Sequence, residues 1–291
     1  ARPSRPRRRK DSDHLMWDTT TYLLSQDFVI TALVACAFLG VLSGVLAPLI
    51  VMRQMSFAVH ATSELALMGA AAALVLGFNL SLGAVLGSIA AAIALALLGF
   101  KGGNDSAVGV VMSFGMGISV LCIYLYPGNS SIAMSLLTGQ VVGVAQTSVW
   151  ALAITTLIVV AAVVALWRPL LFSSIDPVMA AATGVRVRTM ATVFAILVGL
   201  AAANSVQIVG VLLVMALLIT PGASAVAVTA NPKLAVLLSV VFAEVSAVGG
   251  FILSLAPGLP VSVLVAFVSF GIYVVCRGIG AVQARRIQVR N

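Results

Sequence analysis

Long apolar runs separated by short polar breaks cover most of the chain. A helix that crosses a bilayer needs about 20 mainly apolar residues, and most of these runs reach or approach that length. Turn-forming stretches such as GFNLS, YPGNSS and APGLP mark the breaks between the runs. The pattern predicts nine spans: 28–51, 56–78, 82–99, 107–126, 148–166, 190–204, 206–229, 233–254 and 260–276. We therefore expect an all-α polytopic membrane protein with about eight to nine transmembrane helices.

Composition supports a membrane location and argues against nucleic acid as a partner. Of the 291 residues, 62% are hydrophobic and 8% are charged, whereas soluble domains carry about 25% charged residues. The apolar surface must therefore face lipid. The formal net charge is +8, but the basic residues lie at the ends of apolar runs and are not interleaved with aromatic residues on a polar face.

The positions of the basic residues predict an orientation in the membrane. Cytoplasmic loops collect Lys and Arg, and Arg53, Lys101 and Lys233 fall on one side if the nine spans alternate. The same count places the basic N-terminus outside, so the stretch 131–146, with its glycines and glutamine, is a candidate for a further short broken helix. The pattern divides the chain into three parts: a basic, flexible segment 1–27, a transmembrane domain 28–277 and a basic cytoplasmic tail 278–291.

Three polar residues interrupt the second predicted span, at His60, Ser63 and Glu64. A charged side chain at the centre of a membrane helix costs roughly 2.5–3.5 kcal/mol, and such residues tend to mark a substrate or ion route. On a helix His60 and Glu64 share one face, where imidazole and carboxylate could bind a divalent metal. Two ligands are an incomplete site, which a symmetric dimer around a central pore would complete. The alternative is a buried polar layer in which the two side chains bond each other or nearby backbone.

Two further positions inside predicted spans allow either a structural or a functional interpretation. Glu244 could line the same route, or could be paired near a helix end in a structural or gating role. Pro221 removes a helical hydrogen bond, and backbone freed at membrane depth is tolerated only against protein or a water-filled cavity. It therefore predicts a broken helix beside a permeation route or, alternatively, a simple kink.

The charged segment 168–189 is a poor span and is expected to lie on the cytoplasmic side. Within it Asp176 is placed as a helix cap, Pro177 as the first helical residue and Gly184 as the stop. These signals predict a short helix, which spacing alone would describe as an ordinary connecting helix.

Four stretches resemble, in order, motifs of the permease subunits of zinc, manganese and iron ABC importers. DPVMAAATGV resembles the Asp-Pro-x-x-Ala-x-x-x-Gly segment of that family, and MRQMSFAVHATSELALMGAAAA resembles its second-helix motif. KGGNDSAVGVVMSFGMGI is similar to an Asp-x-x-Ile-Gly segment, with Val108 where Ile is usual. VGVLLVMALLITPGASA is similar to a helix of the pattern GxLLVxALLxxPAxxA. The resemblance covers roughly residues 28–277.

The resemblance implies a type II ABC importer-like permease with a cytoplasmic coupling helix at about 175–186. The residues that match the coupling motif are Asp176, Pro177, Ala180 and Gly184. His60 and Glu64 coincide with positions that contact metal in the family, although the family commonly reads Asp-x-x-x-His where this chain reads His-x-x-x-Glu. This exchange leaves the identity of the metal open.

The resemblance also implies the function and the partners. The chain would be a multi-pass subunit of the bacterial plasma membrane, embedded in lipid, that forms a homodimeric pore for manganese or zinc, with iron as a further candidate. The metal is cargo, and no permanently bound cofactor is expected. The implied partners are a second permease subunit, a cytoplasmic ATP-binding subunit and an extracellular metal-binding protein.

Three other functions are compatible with the pattern. The chain has no phosphate-cradling Walker loop and so is not expected to hydrolyse ATP itself. A permease for an iron chelate or a cobalamin-like substrate would have a wider pathway and one more span. A proton-coupled secondary transporter would use Glu64 as its proton site and would need no docking helix. An intramembrane enzyme would need a third ligand or a base beside His60 and Glu64.

Overall fold

The computed structural model describes residues 26–98, 105–128, 144–255 and 259–290. Most of the basic segment 1–27 and most of the stretch 131–146 therefore lie outside the described residues. The described residues form ten helices: α1 (Asp27–Met52), α2 (Ser56–Leu76), α3 (Leu80–Leu98), α4 (Asp105–Leu125), α5 (Gln146–Ala165), α6 (Trp167–Ile175), α7 (Pro177–Ala182), α8 (Val187–Val228), α9 (Pro232–Leu255) and α10 (Val261–Arg290).

The predicted all-α membrane architecture is confirmed. Within the described ranges, seven helical segments are long and apolar enough to cross a membrane, and Leu80–Ala94 and Leu213–Val228 are shorter apolar helices. Together they correspond to the nine predicted apolar runs. The last helix differs from the prediction, because α10 continues past residue 276 to Arg290. The basic residues predicted as a separate tail are therefore part of a helix.

Of the two interpretations of Pro221, a helix break at that residue is wrong, and a simple kink stays a prediction. The backbone of α8 stays helical through Pro221 and leaves the helical conformation at Gly210, with φ 74° and ψ 165°. Glycine adopts this positive φ without the steric penalty that a side chain would bring. A proline inside a membrane helix is tolerated when neighbouring groups compensate for the missing bond. The break between the sixth and seventh predicted spans is therefore at Gly210 and not at residue 205.

Helix α1 lies at the centre of the bundle and packs against α5, α8 and α9. Its buried residues form much of the main hydrophobic core, together with residues of α5 and α8. Helix α2, which carries His60 and Glu64, packs instead on α3, α4 and α8. The site helix therefore lies beside the central core and is held by its own set of neighbours.

Close approach of α2 and α3 depends on glycine. A Cβ atom on Gly69 would overlap the carbonyl oxygen of Gly83, and one on Gly87 would overlap the carbonyl oxygen of Leu65. Small residues let membrane helices approach until their backbones touch. These glycine contacts fix the position of α2 against α3.

Candidate metal pathway

His60 and Glu64 lie on one face of α2, because the helix is regular from Ser56 to Leu76 and the two residues are one turn apart. The Glu64 side chain is 7% exposed, and His60 is partly exposed. Among the described residues, His60 Nδ1 and Glu64 Oε2 have no hydrogen-bond partner. Each side chain thus keeps one potential metal-ligating atom that no group of the described protein satisfies.

The two residues belong to a row along α2 that is partly open at the surface of the chain. His60, Met68 and Ala72 are partly exposed, and Glu64 lies between them at the same spacing of four residues. Glu64 is also the most exposed member of the buried run 61–67. The row is therefore only partly open: His60, Met68 and Ala72 reach the surface of the chain, and Glu64 is buried between them.

Ser63 is placed differently from its two neighbours. Its side chain is fully buried, and its hydroxyl donates a hydrogen bond of 3.1 Å to the carbonyl oxygen of Val59 within α2. The hydroxyl hydrogen is therefore used inside the helix. Any role of Ser63 in a pathway would rest on its oxygen.

Among the described residues, the folded chain brings no third His, Cys, Asp or Glu ligand to the His60–Glu64 pair. In the part of the chain that the structure describes, no three His, Cys, Asp or Glu side chains come together in a group that could hold a metal ion. Zinc commonly takes four ligands. The His60–Glu64 pair can therefore supply part of a coordination shell, and any further His, Cys, Asp or Glu ligand would come from outside the described residues of one chain.

Glu244 lies midway along α9 at the contact with α1 and does not join that pair in a metal-binding group. Its carboxylate covers Gly40, where an added Cβ atom would lie 2.7 Å from Glu244 Oε1. Within the described ranges, Oε1 has no hydrogen-bond partner. The position is far from both ends of α9, so the interpretation as a residue paired near a helix end is wrong.

The predicted cytoplasmic helix is present as α7, with narrower bounds than 175–186. The carboxylate of Asp176 accepts hydrogen bonds from the backbone N–H groups of Val178 at 3.1 Å and Met179 at 2.9 Å. Pro177 occupies the first turn, and Gly184 follows the helix with a φ of 90°. The local prediction of cap, first residue and stop is therefore confirmed.

Helix α7 has an inner and an outer side. Ala180 is fully buried, whereas Val178 is 78% exposed and Met179 is exposed. The small Ala180 side chain packs against the rest of the chain, and two apolar side chains point outward. This arrangement leaves an apolar face free to contact another protein.

Two features near α7 were missed at the level of sequence. Segment 168–189 contains a further helix, α6, in front of α7. The charge pattern indicates only on which side of the membrane Arg53 lies. In the structure, Arg53 donates a hydrogen bond to the Ser174 hydroxyl of α6. No local signal in the chain predicts this contact, because the two residues lie 121 positions apart.

Comparisons with known proteins agree with this geometry. The family described as the ABC 3 transport family matches residues 25–278. The manganese transport system membrane protein MntC of Listeria innocua is 33% identical over 254 residues, which cover 85% of this chain and 90% of that protein. The high-affinity zinc uptake system membrane protein ZnuB of Haemophilus influenzae is 28% identical over 219 residues, 74% of this chain and 84% of that protein.

A solved structure shares the fold. A chain in the structure of PsaBC from Streptococcus pneumoniae in complex with Fab aligns with a TM-score of 0.83 at 21% identity, covering 94% of this chain and 99% of that one. The family match covers the whole region that contains the nine apolar runs, the His60–Glu64 pair and α7. This chain is a multi-pass membrane protein that belongs to the ABC 3 transport family.

Proposed function

We propose that the chain is the transmembrane subunit of an ATP-driven importer of divalent metal ions, manganese or zinc, in the bacterial plasma membrane. The observation that carries the proposal is the His60–Glu64 pair, which lies in a partly open row of α2. Each side chain has one atom without a hydrogen-bond partner among the described residues. A buried polar atom without a partner costs free energy. A metal ion that passes between these atoms would offset that cost.

The ligand types suit more than one metal. Imidazole is suited to zinc and iron, and carboxylate is suited to manganese. The relatives are consistent with this range, since MntC is named for manganese transport and ZnuB for zinc uptake. The pair supports passage of a divalent ion, and manganese and zinc are the first two to test.

A second copy of the chain would complete the site. Two copies related by a two-fold axis would bring two imidazoles and two carboxylates to one point. The partly open row through His60, Glu64 and Met68 is the surface that would have to face the axis. Metal would then be held by four side chains at the centre of a homodimer.

Separate proteins would supply energy and cargo. An ATP-binding subunit would dock on α7, where Val178 and Met179 are exposed while Ala180 anchors the helix to the chain. An extracellular metal-binding protein would deliver the ion to the opposite side.

Asp176→Ala removes the cap of α7, at a cost of about 1 kcal/mol to the helix, and should lower metal uptake. Asp176→Ser keeps a capping oxygen and should retain most of the uptake.

The test is metal uptake by proteoliposomes that contain the chain with its ATP-binding subunit and binding protein. Radiolabelled manganese and zinc are supplied outside, with ATP inside, and wild type is compared with His60→Ala and Glu64→Ala. Uptake of at least one metal should require ATP and should fall more than about tenfold in both variants, since even groups that only support a metal ligand contribute about 10–100-fold.

Thr62→Val is the matched control on the same helix. Thr62 is buried and donates to the carbonyl oxygen of Ala58, so the variant removes a polar group of α2 outside the His60–Glu64 row. Its uptake should stay near wild type. Full uptake in the His60 and Glu64 variants would instead identify the pair as a structural polar layer.

A further inference from the structure

The connection between α1 and α2 is tied to α6 by a single side chain, that of Arg53. Its Nε donates to Ser174 Oγ at 2.7 Å, and its Nη2 donates to Ser173 Oγ at 2.8 Å and to the Leu170 carbonyl oxygen at 3.2 Å. The guanidinium also lies 4.5 Å from the centre of the Phe194 ring of α8. Three helical elements therefore meet at one guanidinium group.

The environment of Arg53 suits a fixed arginine and no other side chain. Burial lowers the pKa of Arg53 to about 10, so the group stays charged at neutral pH. Its positive charge lies near the C-terminal end of α6, where carbonyl groups favour a cation, and over an aromatic ring that also attracts it. A lysine has one point of charge and could not make the same forked set of hydrogen bonds.

On one side of Arg53, the connection to α2 is short and held in shape. Only residues 53–55 separate α1 from α2, and the N–H groups of Arg53, Gln54 and Met55 all donate to carbonyl oxygens near the end of α1. Gln54 has a φ of 56°, which non-glycine residues adopt infrequently. Such a connection transmits a displacement to the start of α2, the helix that carries His60 and Glu64.

On the other side of Arg53, α6 runs directly into α7. Asp176 ends α6, where its N–H donates to the Phe172 carbonyl oxygen at 3.1 Å, and its carboxylate begins α7. No residue other than Asp176 lies between the two helices. A push on the exposed face of α7 therefore reaches Ser173 and Ser174 through one shared residue.

We propose that Arg53 is the positioning residue that couples movement of the α6–α7 unit to the metal-binding row of α2. This inference rests on the proposed function. Motion of the ATP-binding subunit against α7 shifts α6, the hydrogen bonds of Arg53 carry that shift to the 53–55 connection, and α2 moves His60 and Glu64 relative to the second copy. Arg53 itself does not contact the metal.

The experiment measures metal ions imported per ATP hydrolysed, in proteoliposomes that contain the complete transporter. Arg53→Met keeps most of the length of the side chain but removes all three hydrogen bonds, and it should lower this ratio at least about tenfold, since hydrogen bonds to charged groups contribute strongly. The double variant Ser173→Ala/Ser174→Ala removes two acceptors from the α6 side and should lower the ratio in the same direction. Arg53→Lys should rescue it only in part.

Arg285→Met is the matched control, because Arg285 is an exposed arginine near the end of α10; its ratio of metal imported to ATP hydrolysed should equal that of wild type.

Combining Arg53→Met with the serine variant should cause no loss beyond that of Arg53→Met alone. Multiplied losses would overturn the proposal that Arg53 acts through these serines. If Arg53→Met fails to insert, the serine variant decides, and an unchanged ratio there overturns the inference. A wild-type transporter that moves no metal with ATP would remove the proposed function itself, whereas coupled wild-type transport with unchanged variants removes only this inference.

Discussion

Glu64 and Glu244 are two acidic residues within membrane-spanning helices, and the structure gives them different surroundings. Glu64 lies in a partly open row of α2 with the His60 imidazole one turn away. Glu244 lies at the contact between α9 and α1, over Gly40. Each has one oxygen without a hydrogen-bond partner among the described residues, so that property alone does not separate them.

The difference between the two carboxylates lies in what surrounds each one. Glu64 has a second metal-ligating group beside it, the imidazole of His60 one helical turn away. Glu244 has a packing notch that glycine leaves for it, and the structure places it in no metal-binding group with the described residues. We therefore infer that Glu64 binds the transported ion, and that Glu244 has a structural or gating role at the α1–α9 contact.

The largest expected effect is the change in metal uptake when each of the two carboxylates is replaced by an uncharged amide. Glu64→Gln keeps the shape of the side chain but removes an anionic ligand, and metal uptake should fall more than about tenfold. Glu244→Gln should retain uptake within about threefold of wild type, because a packing role needs the shape more than the charge. The measurement is ATP-dependent uptake normalised to the amount of inserted protein. Equal losses in the two variants would place both carboxylates on one route.

A smaller effect, on stability, is expected when alanine replaces the glycine that packs beside each of the two regions. A Cβ atom on Gly69 would overlap backbone of α3, which cannot move away, and Gly69→Ala should lower stability by about 1–3 kcal/mol. A Cβ atom on Gly40 would meet the end of the flexible Glu244 side chain, and Gly40→Ala should cost less than about 1 kcal/mol. Thermal unfolding in detergent should thus give the lower midpoint for Gly69→Ala. The reverse order would show that the Glu244 carboxylate is held as rigidly as backbone.

The smallest effect tests whether Gly40 and Glu244 act as a pair. Because the three atoms nearest to the added methyl group all belong to the Glu244 carboxylate, Gly40→Ala should cost little in a Glu244→Ala background. The expected coupling energy is about 0.5–1 kcal/mol, in the range of residues in direct contact. A double-mutant cycle of unfolding midpoints measures it. Strictly additive costs would mean that the notch at Gly40 does not serve Glu244.

The features that sequence predicts well are those set by local chemistry or by the thickness of the bilayer. The nine apolar runs correspond to helical segments because a membrane span needs a set length of apolar chain. The cap of α7 is predictable because Asp176, Pro177 and Gly184 act on backbone within a few residues. The i,i+4 relation of His60 and Glu64 follows from helix geometry in the same way.

The features that sequence does not predict depend on contacts between distant parts of the chain. Pro221 carries a stronger local breaking signal than Gly210, yet the backbone break is at Gly210. The notch for Glu244 joins residues of two helices, and the hydrogen bonds of Arg53 join a short connection to α6. The position of the break and the contacts of Glu244 and Arg53 are set by packing between distant parts of the chain, which no local sequence pattern encodes.

Binding of the transported metal by His60 and Glu64 can be measured by X-ray absorption on the complete, metal-loaded transporter, at the zinc or manganese edge according to which ion is imported. For zinc we expect nitrogen and oxygen ligands at about 2.0–2.2 Å in wild type. We expect loss of the imidazole signal in His60→Ala and loss of the bound metal in the variant that also carries Glu64→Ala. A wild-type complex that binds neither metal, or an unchanged imidazole signal in His60→Ala, would show that the pair does not bind the transported ion.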